Sequence, residues 1–305
     1  MTILVTGSNG LVGSALREII NEDVFFAMRK HADLTNYSET EKLFARIRPT
    51  KVIHLAALVG GIGGNLLHSG EYFRENVQIN LNSLEAARKF GVQRMVSFMS
   101  TCVFPNDAPY PLSPETLHEG QPHPSNFGYA FAKRMLEVQS RAYRTQWNLD
   151  YVVAIPANIY GPHDNFSLTE GHVVPALIHK THMANKLNTD ITVWGSGKPL
   201  REFIYSTDIA KLALWMLDHY FSETPLILSS GVETSISELN QQVSAAMDFK
   251  GRTIFDDSKP DGQLRKPSDA GPLKLAFPSF EFMKVEDGVK LTVEWFENNY
   301  PNVRA

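Results

Sequence analysis

A chain of 305 residues is long enough for one large domain or two unequal ones, and 43% hydrophobic with 20% charged residues is the balance of an ordinary globular protein. A formal net charge of −4 gives no electrostatic reason to expect nucleic acid or an anionic membrane surface as a partner. One cysteine, Cys102, excludes an internal disulfide and a zinc site built on several thiolates, and it fits a reducing, cytoplasmic setting.

The opening "MTILVTGSNGLVGSALREII" lacks a basic leader and a signal-like apolar run, so it reads as part of the fold. No stretch reaches the roughly 18 apolar residues that would span a bilayer. "TILVTG" predicts a strand and "GLVGSALREII" a helix. "VFFAM", "KVIHLAA", "RMVSFMST" and "DYVVAIPANIYG" predict further strands. Between them "NYSETEKLFARI", "SGEYFRENVQINLNSLEAARKFG" and "YAFAKRMLEVQSRAYRTQW" predict helices. This alternation predicts an α/β fold, a Rossmann-type doubly wound parallel sheet that binds ligands outside the carboxyl ends of its strands. The elements shorten after "GPHDNF", and "ITVWGSGKPLREFIY" reads as a hairpin whose turn is Gly-Ser-Gly. The division expected is a dinucleotide domain over 1–161 and a smaller, mainly substrate-binding α/β domain over 162–305. A segment at about 203–220, containing "STDIAKLALWMLDHY", returns to the first domain.

"TGSNGLVG" spaces Gly7, Gly10 and Gly13 as G-x-x-G-x-x-G between a strand and a helix. Glycines permit the tight turn and let a pyrophosphate approach the backbone, and the helix N-terminus favours negative charge. The spacing departs from the usual G-x-G-x-x-G, and the alternative is a turn that only lets helix and strand pack. The reading preferred is a cofactor site over Gly7, Ser8, Asn9, Gly10, Leu11, Val12 and Gly13. At the end of the second strand, where NAD specificity needs an acid, "FFAMRKHAD" has Arg29 and Lys30. Cations there suit a 2′-phosphate, so NADP(H) is expected; the alternative is a solvated pair. Asp33 is placed near the adenine.

"YAFAK" sets Tyr129 and Lys133 four apart on one helix face. An ammonium beside a phenol favours its phenolate, and Lys133 can also hold the nicotinamide ribose of the cofactor. Ser100 ends the preceding strand, where a hydroxyl can bind a substrate carbonyl. Together the three are a hydrogen-bond donor, a general acid and a relay cation.

"TGSNGLVG", "HLAA", Ser100, "YAFAK" and "REFIYSTDIA" resemble the extended short-chain dehydrogenase/reductase family acting on nucleotide sugars. "VGGIGGN", "STCVFP", "SNFGYAFAKRM", "IPANIYGPHDNF", "GHVVPALIHK", "VWGSGKPLREFIY" and "SKPDG" are similar, within it, to the bifunctional 3,5-epimerase/4-reductases that make GDP-L-fucose from GDP-4-keto-6-deoxy-D-mannose. The resemblance implies a GDP-sugar substrate and NADPH. It implies Ser100, Tyr129 and Lys133 as the catalytic triad, with Cys102 and His172 as the epimerisation acid/base pair. Pro156, Ala157, Asn158, Ile159 and His172 would border the cofactor. Lys180, Trp194, Arg201 and Asp261 would bind the GDP-sugar. It also implies a homodimer through a four-helix bundle of the helices at about 70–90 and 128–147.

The chemistry asks for two proton-transfer groups. A ketone at sugar carbon 4 acidifies carbons 3 and 5, and inversion removes a proton from one face and delivers another to the opposite face. Cysteine near 8.5 and histidine near 6.5 suit that work, and a nearby Lys133 would favour the thiolate. If strand geometry persists past Ser100, Cys102 two residues on faces the same side. From its residues alone, His172 reads as a packed or capping histidine. His172, His179 and His182 have a loosely metal-like spacing, but no acids or further thiols join them, so no metal is expected. His54 reads as structural and His163 as shaping the interdomain loop. Arg201 could instead be a surface residue paired with Glu202 or Asp208, and Asp261 a turn residue.

The rival enzyme is an NAD-dependent nucleotide-sugar 4-epimerase, against which Arg29, Lys30 and Cys102 argue. A 4,6-dehydratase would have acids after the catalytic hydroxyl, where Thr101 and Cys102 stand. A silent dinucleotide-binding regulator would not need Ser100, Tyr129 and Lys133.

Overall fold

The computed structural model describes residues 2–21, 23–259 and 261–305, so that Pro260 of "SKPDG" lies outside the described residues. The chain opens with β1 (Ile3–Thr6), α1 (Leu11–Ile19), β2 (Val24–Phe26) and α2 (Tyr37–Ile47). Asn36 starts α2 by accepting from the Glu39 amide, which satisfies one of the unpaired amides of the first turn. β3 (Lys51–His54), α3 (Ile62–Leu67), α4 (Ser69–Lys89), β4 (Arg94–Phe98), α5 (Phe127–Trp147), β5 (Asp150–Pro156) and β6 (Asn158–Tyr160) follow. The remainder contains α6 (Val173–Leu187), β7 (Ile191–Trp194), β8 (Leu200–Tyr205), α7 (Ser206–His219), β9 (Leu226–Leu228), β10 (Glu233–Ser235), α8 (Ile236–Ala246), β11 (Thr253–Asp256), α9 (Gly271–Ala276) and α10 (Val285–Asn299).

Six parallel strands form the main sheet in the order β2-β1-β3-β4-β5-β9. The strand order reverses between β1 and β3, and the crevice outside their carboxyl ends is where ligands enter such sheets. Side chains alternate across the sheet. Leu4, Val52 and Met95 face α2, α4 and α5, packing with Phe44, Leu84 and Leu136. Ile3, Val5 and Ile53 face α1 and α7, packing with Leu16, Ile209 and Met216. This is the doubly wound α/β architecture that the βα alternation predicts.

A third core gathers Tyr160, Phe166, Phe203, Leu239, Val293 and Phe296 from the later elements. After β8 the chain returns to the main sheet: α7 packs on α1, and β9 pairs with β5.

The expected hairpin over 191–205 does not form. β7 pairs in parallel with β11, whereas β8 pairs with β6 and β10, so the two strands belong to different sheets. Gly195 and Gly197 both have positive φ, +82° and +75°. The turn is held from outside, by Asp261 accepting from the Ser196 amide and hydroxyl. It therefore redirects the chain between sheets rather than closing a two-stranded ribbon.

Candidate active site

The turn from β1 into α1 leaves little room for side chains. Gly7 has φ +68°, and a Cβ there would lie 2.6 Å from the Ala56 amide nitrogen just past β3. A Cβ at Gly13 would lie 2.5 Å from the Ser8 Cα. Gly10 heads α1 with no side-chain cap, so the first amides of the helix remain available to an anion. Ser8 is buried, its hydroxyl donating to the Ala27 carbonyl and accepting from Arg17 and its amide donating to the same Ala27 carbonyl, so it shapes the turn and leaves phosphate binding to the amides at the head of α1. Asn9 is exposed at the mouth, Leu11 half-buried, and Val12 is spent on the core. Arg29 and Lys30 stand exposed just past β2, with Arg29 only 3.9 Å from Asp33. Asp33 itself closes a turn onto Thr35, which holds its carboxyl below the usual range. The bare-backbone cradle and two exposed cations, Arg29 only loosely paired with Asp33, fit a dinucleotide that carries a 2′-phosphate.

Pro156, Ala157, Asn158 and Ile159 lie where β5 passes into β6, at the same edge of the sheet. Pro156 and Ala157 are buried, whereas Asn158 is exposed with its amide donating to the Glu202 carbonyl.

The reacting residues converge at that edge. β4 ends at Phe98, and Thr101–Val103 form a tight 3₁₀ turn. Strand geometry therefore does not persist to Cys102, contrary to expectation. The turn instead keeps the thiol close enough to Ser100 and Lys133 for both to act on its pKa. Tyr129 and Lys133, 8% and 3% exposed, stand on the buried side of α5. Lys133 Nζ donates to the Phe98 carbonyl at 3.0 Å. Behind them a buried chain runs from Thr6 through His54 and Asn80 to the Ala132 carbonyl, fastening this turn of α5 to β1 and β3. His54 is thus structural, its pKa pushed down to about 3 by burial and by Lys133.

Electrostatics departs from expectation at two of these groups. Burial raises the Tyr129 phenol well above its ordinary value, reinforced by Cys102 and Tyr72, and outweighs any help from Lys133. A protonated phenol suits a general acid. Burial also raises the Cys102 thiol, against the pull of Lys266, Ser100 and Lys133. Burial lowers Lys133 to about 8.

Lys266 was not singled out by the sequence reading. It sits on a strap that crosses the cleft: the Leu200 amide donates to Leu264, the Leu112 amide to Pro267, and the Ser268 amide to the buried Glu202 carboxylate. Glu202 is no partner for Arg201, since consecutive side chains of β8 point to opposite faces. Only the "SKPDG" motif, ending four residues upstream, marks this region, and the charge interaction with Cys102 acts across more than 160 residues of sequence.

His172 heads α6, its side chain 52% exposed and making no cap hydrogen bond. The protein atoms crowded around the half-exposed ring, and the charge of Arg304, lower its pKa. Its Nδ1 lies 4.0 Å from Asp164. His163 has its ring 4.5 Å from that of Trp295, on the turn leading into this loop. His179 and His182 instead pack against Phe296 and Tyr300. Among the described residues no group of three potential metal ligands comes together.

Lys180 Nζ lies 5.7 Å from the ring centre of Trp194, which is 68% exposed, and burial lowers its pKa. Lys259 approaches the same ring at 5.9 Å. Arg201 forms no ion pair among the described residues, and its Nη1 donates to its neighbour's carbonyl, Leu200. Asp261 is exposed, and both its oxygens are engaged by Ser196.

A profile of the NAD dependent epimerase/dehydratase family matches residues 3–228. GDP-L-fucose synthase from Dictyostelium discoideum is 46% identical over 99% of this chain and 97% of its own length. Probable GDP-L-fucose synthase from Drosophila melanogaster is 43% identical over 99% of both. The crystal structure of a GDP-L-fucose synthetase from Naegleria fowleri bound to NADP, 41% identical, superposes with a TM-score of 0.95 over 100% of this chain and 95% of that one. No helix among the described residues is long and apolar enough to cross a membrane. The chain belongs to the NAD dependent epimerase/dehydratase family, in its GDP-L-fucose synthase branch.

Proposed function

We propose that this protein converts GDP-4-keto-6-deoxy-D-mannose to GDP-L-fucose, epimerising carbons 3 and 5 and then reducing carbon 4. The observation that carries this reading is the Cys102 thiol beside Ser100, Tyr129 and Lys133. A ketone reductase needs the last three; a thiol among them supplies the proton transfers that inversion requires.

In this reading Ser100 donates a hydrogen bond to the carbon-4 oxygen, which stabilises the enolate. Cys102 and His172 act on opposite faces of the ring, one removing a proton and the other delivering one. Bound NADPH supplies the hydride to carbon 4. Tyr129 then protonates the new alkoxide, with Lys133 as relay. Lys180, Trp194, Arg201 and Asp261 hold the GDP portion: Trp194 offers an exposed face for a base, and Arg201, without an ion pair among the described residues, a fork for a diphosphate. Residues 1–161 with the return at about 203–220 hold the dinucleotide, and 162–305 mainly the sugar nucleotide.

Two further proposals follow. α4 and α5 pack side by side and expose Phe73 and Leu81 on one helix, and Phe127, Met135 and Val138 on the other. Such a stripe fits a second copy of the pair, giving a homodimer through a four-helix bundle. A cytoplasmic location suits a lone working thiol, which must stay reduced.

The test is product analysis in deuterated water with NADPH and the keto-sugar. Wild type should give GDP-L-fucose labelled at carbons 3 and 5; Cys102→Ser should reduce the ketone yet lose most inversion. Wild-type production by the variant, or NADPH left untouched by wild type, would overturn the reading.

A further inference from the structure

Asp164 is buried at 4% exposure with its charge poorly compensated. Its Oδ1 accepts from the Asn165 amide at 2.7 Å, whereas its Oδ2 has no hydrogen-bond partner among the described residues. Burial lifts its carboxyl to about 7, against the pull of that amide and of Arg304. A buried, half-satisfied acid is costly, and it recurs where a site uses it.

The surrounding loop is built to bring one residue back onto this acid. His163, just before it, is held at φ +65°, a conformation unfavourable for a side-chain-bearing residue. Asn165 and Ser167 then form successive side-chain turns, and the Gly171 amide donates to the Ser167 carbonyl at 3.0 Å. A Cβ at Gly171 would lie 2.4 Å from that carbonyl oxygen and 2.6 Å from that of Asn165. Only glycine closes the loop so tightly, and the next residue is His172, whose Nδ1 comes within 4.0 Å of Asp164 Oδ1. The imidazole does no capping work for α6. Catalytic hydrogen bonds are often this long before substrate binds.

We infer that Asp164 is the positioning residue of His172: its carboxylate takes the Nδ1–H, so that Nε2 is the nitrogen presented to the sugar. The inference deepens the proposed function and rests on it for the role of His172. In the acid form the pair carries its extra proton with Nε2–H toward the ring. Delivery forms a C–H bond at the enolate carbon and breaks Nε2–H. It leaves a neutral imidazole whose Nδ1–H remains on the carboxylate, and a solvent proton restores the acid. The charged groups facing the pair are each other and Arg304, which is tied to this loop through the Phe166 amide. Glu170, on the same loop, faces Tyr72 instead.

The test has one arm that needs no substrate. Imidazole ¹H–¹⁵N correlation spectra of the full chain, with the His172 signal assigned from His172→Gln, report its tautomer above its titration. The expected result is Nδ1–H in wild type and a switch to Nε2–H in Asp164→Ala. In the second arm, solvent deuterium uptake at carbons 3 and 5 of the keto-sugar is followed against pH. Asp164→Ala should slow uptake about tenfold or more, far beyond any loss in NADPH-dependent reduction. Asp164→Asn keeps the shape and an acceptor but not the charge, so its acid limb should move to lower pH. An Nε2–H tautomer in wild type, or uptake in Asp164→Asn with wild-type rate and pH profile, overturns the inference even if the alanine variant misfolds. The expected tautomer switch in a wild type that does not process the keto-sugar would uphold the orientation by Asp164 and overturn the functional reading instead.

Discussion

Lys133 points its ammonium at the Phe98 carbonyl, 3.0 Å away, while the same nitrogen lies 5.9 Å from the centre of the Tyr129 ring. The lysine is thus held by the end of β4, the strand that delivers Ser100, and it shares the buried side of α5 with the tyrosine. Its pKa is lowered to about 8 from 10.5 by burial, with Cys102 acting the other way. Between those values the unfolded chain binds more protons than the folded one, so stability rises with pH across this window. Below it the fold carries the full cost of a buried cation, about 3 kcal/mol.

Lys133→Met separates stability from function. The variant loses the buried charge and leaves the Phe98 carbonyl unpartnered, a penalty of about 1–3 kcal/mol. Chemical unfolding at a series of pH values should show the wild-type rise between about pH 8 and 10.5 missing from the variant. NADPH oxidation should fall about 100-fold or more. An identical pH dependence in both proteins would mean that folding leaves the Lys133 pKa unshifted.

Cys102 and Lys266 make a second pH-dependent pair. Burial outweighs the cations, so the thiol is protonated at neutral pH, and its thiolate appears only as pH rises. Lys266 is the largest charge opposing that burial, ahead of Lys133. Lys266→Met should raise the midpoint of the iodoacetamide rate–pH curve by about one unit, a tenfold slower reaction at fixed pH below it. An unmoved midpoint would show that the strap does not act on the thiol.

How far these relationships could be read from sequence follows the range of the forces that make them. The glycine turn, the Tyr129–Lys133 spacing and the alternation of strands and helices are local, set by periods of two and 3.6 residues. They carry the main sheet and most of the reacting edge. The fate of "ITVWGSGKPLREFIY" depends on Asp261, more than 60 residues on, and no local pattern encodes that Ser196 would be its partner. Cys102 reaches Ser100 through a tight turn that strand periodicity does not anticipate. Lys266 and Asp164 acquire meaning only when long loops close. For Asp164 the closing signal, Gly171 before His172, was present but has no fixed-spacing motif to mark it.

At the phosphate end, Gly13→Ala has nowhere to put its methyl, since the atom 2.5 Å away is backbone. It should weaken NADPH binding more than tenfold and destabilise the fold by about 1–3 kcal/mol. Gly70→Ala, in α4 with no atom within 4 Å, is the matched control and should be neutral or stabilising by about 0.5–1 kcal/mol. Titration of NADPH by fluorescence and thermal unfolding of both variants decide it. A Gly13→Ala protein that binds as wild type would mean that α1 can slide away from the turn.

The apolar stripe on α4 and α5 yields to a charge. Leu81 and Val138 are 52% and 46% exposed, whereas Leu84 and Leu136 of the same helices are fully buried in the core. Substituting the exposed pair therefore leaves the fold's own packing intact. A glutamate on each copy at Val138 would be desolvated in a bundle built from two α4–α5 pairs, with Arg141, one turn on, already bridging Glu137, a cost of several kcal/mol. Sedimentation at micromolar concentration should show a dimer for wild type and a monomer for Val138→Glu, with an unchanged circular dichroism spectrum. Since the Cys102–Tyr129 edge lies on the other side of α5, the monomer should still bind NADPH. A wild-type monomer would leave this stripe without a second copy to cover it, and a dimer that survives Val138→Glu would place the interface elsewhere.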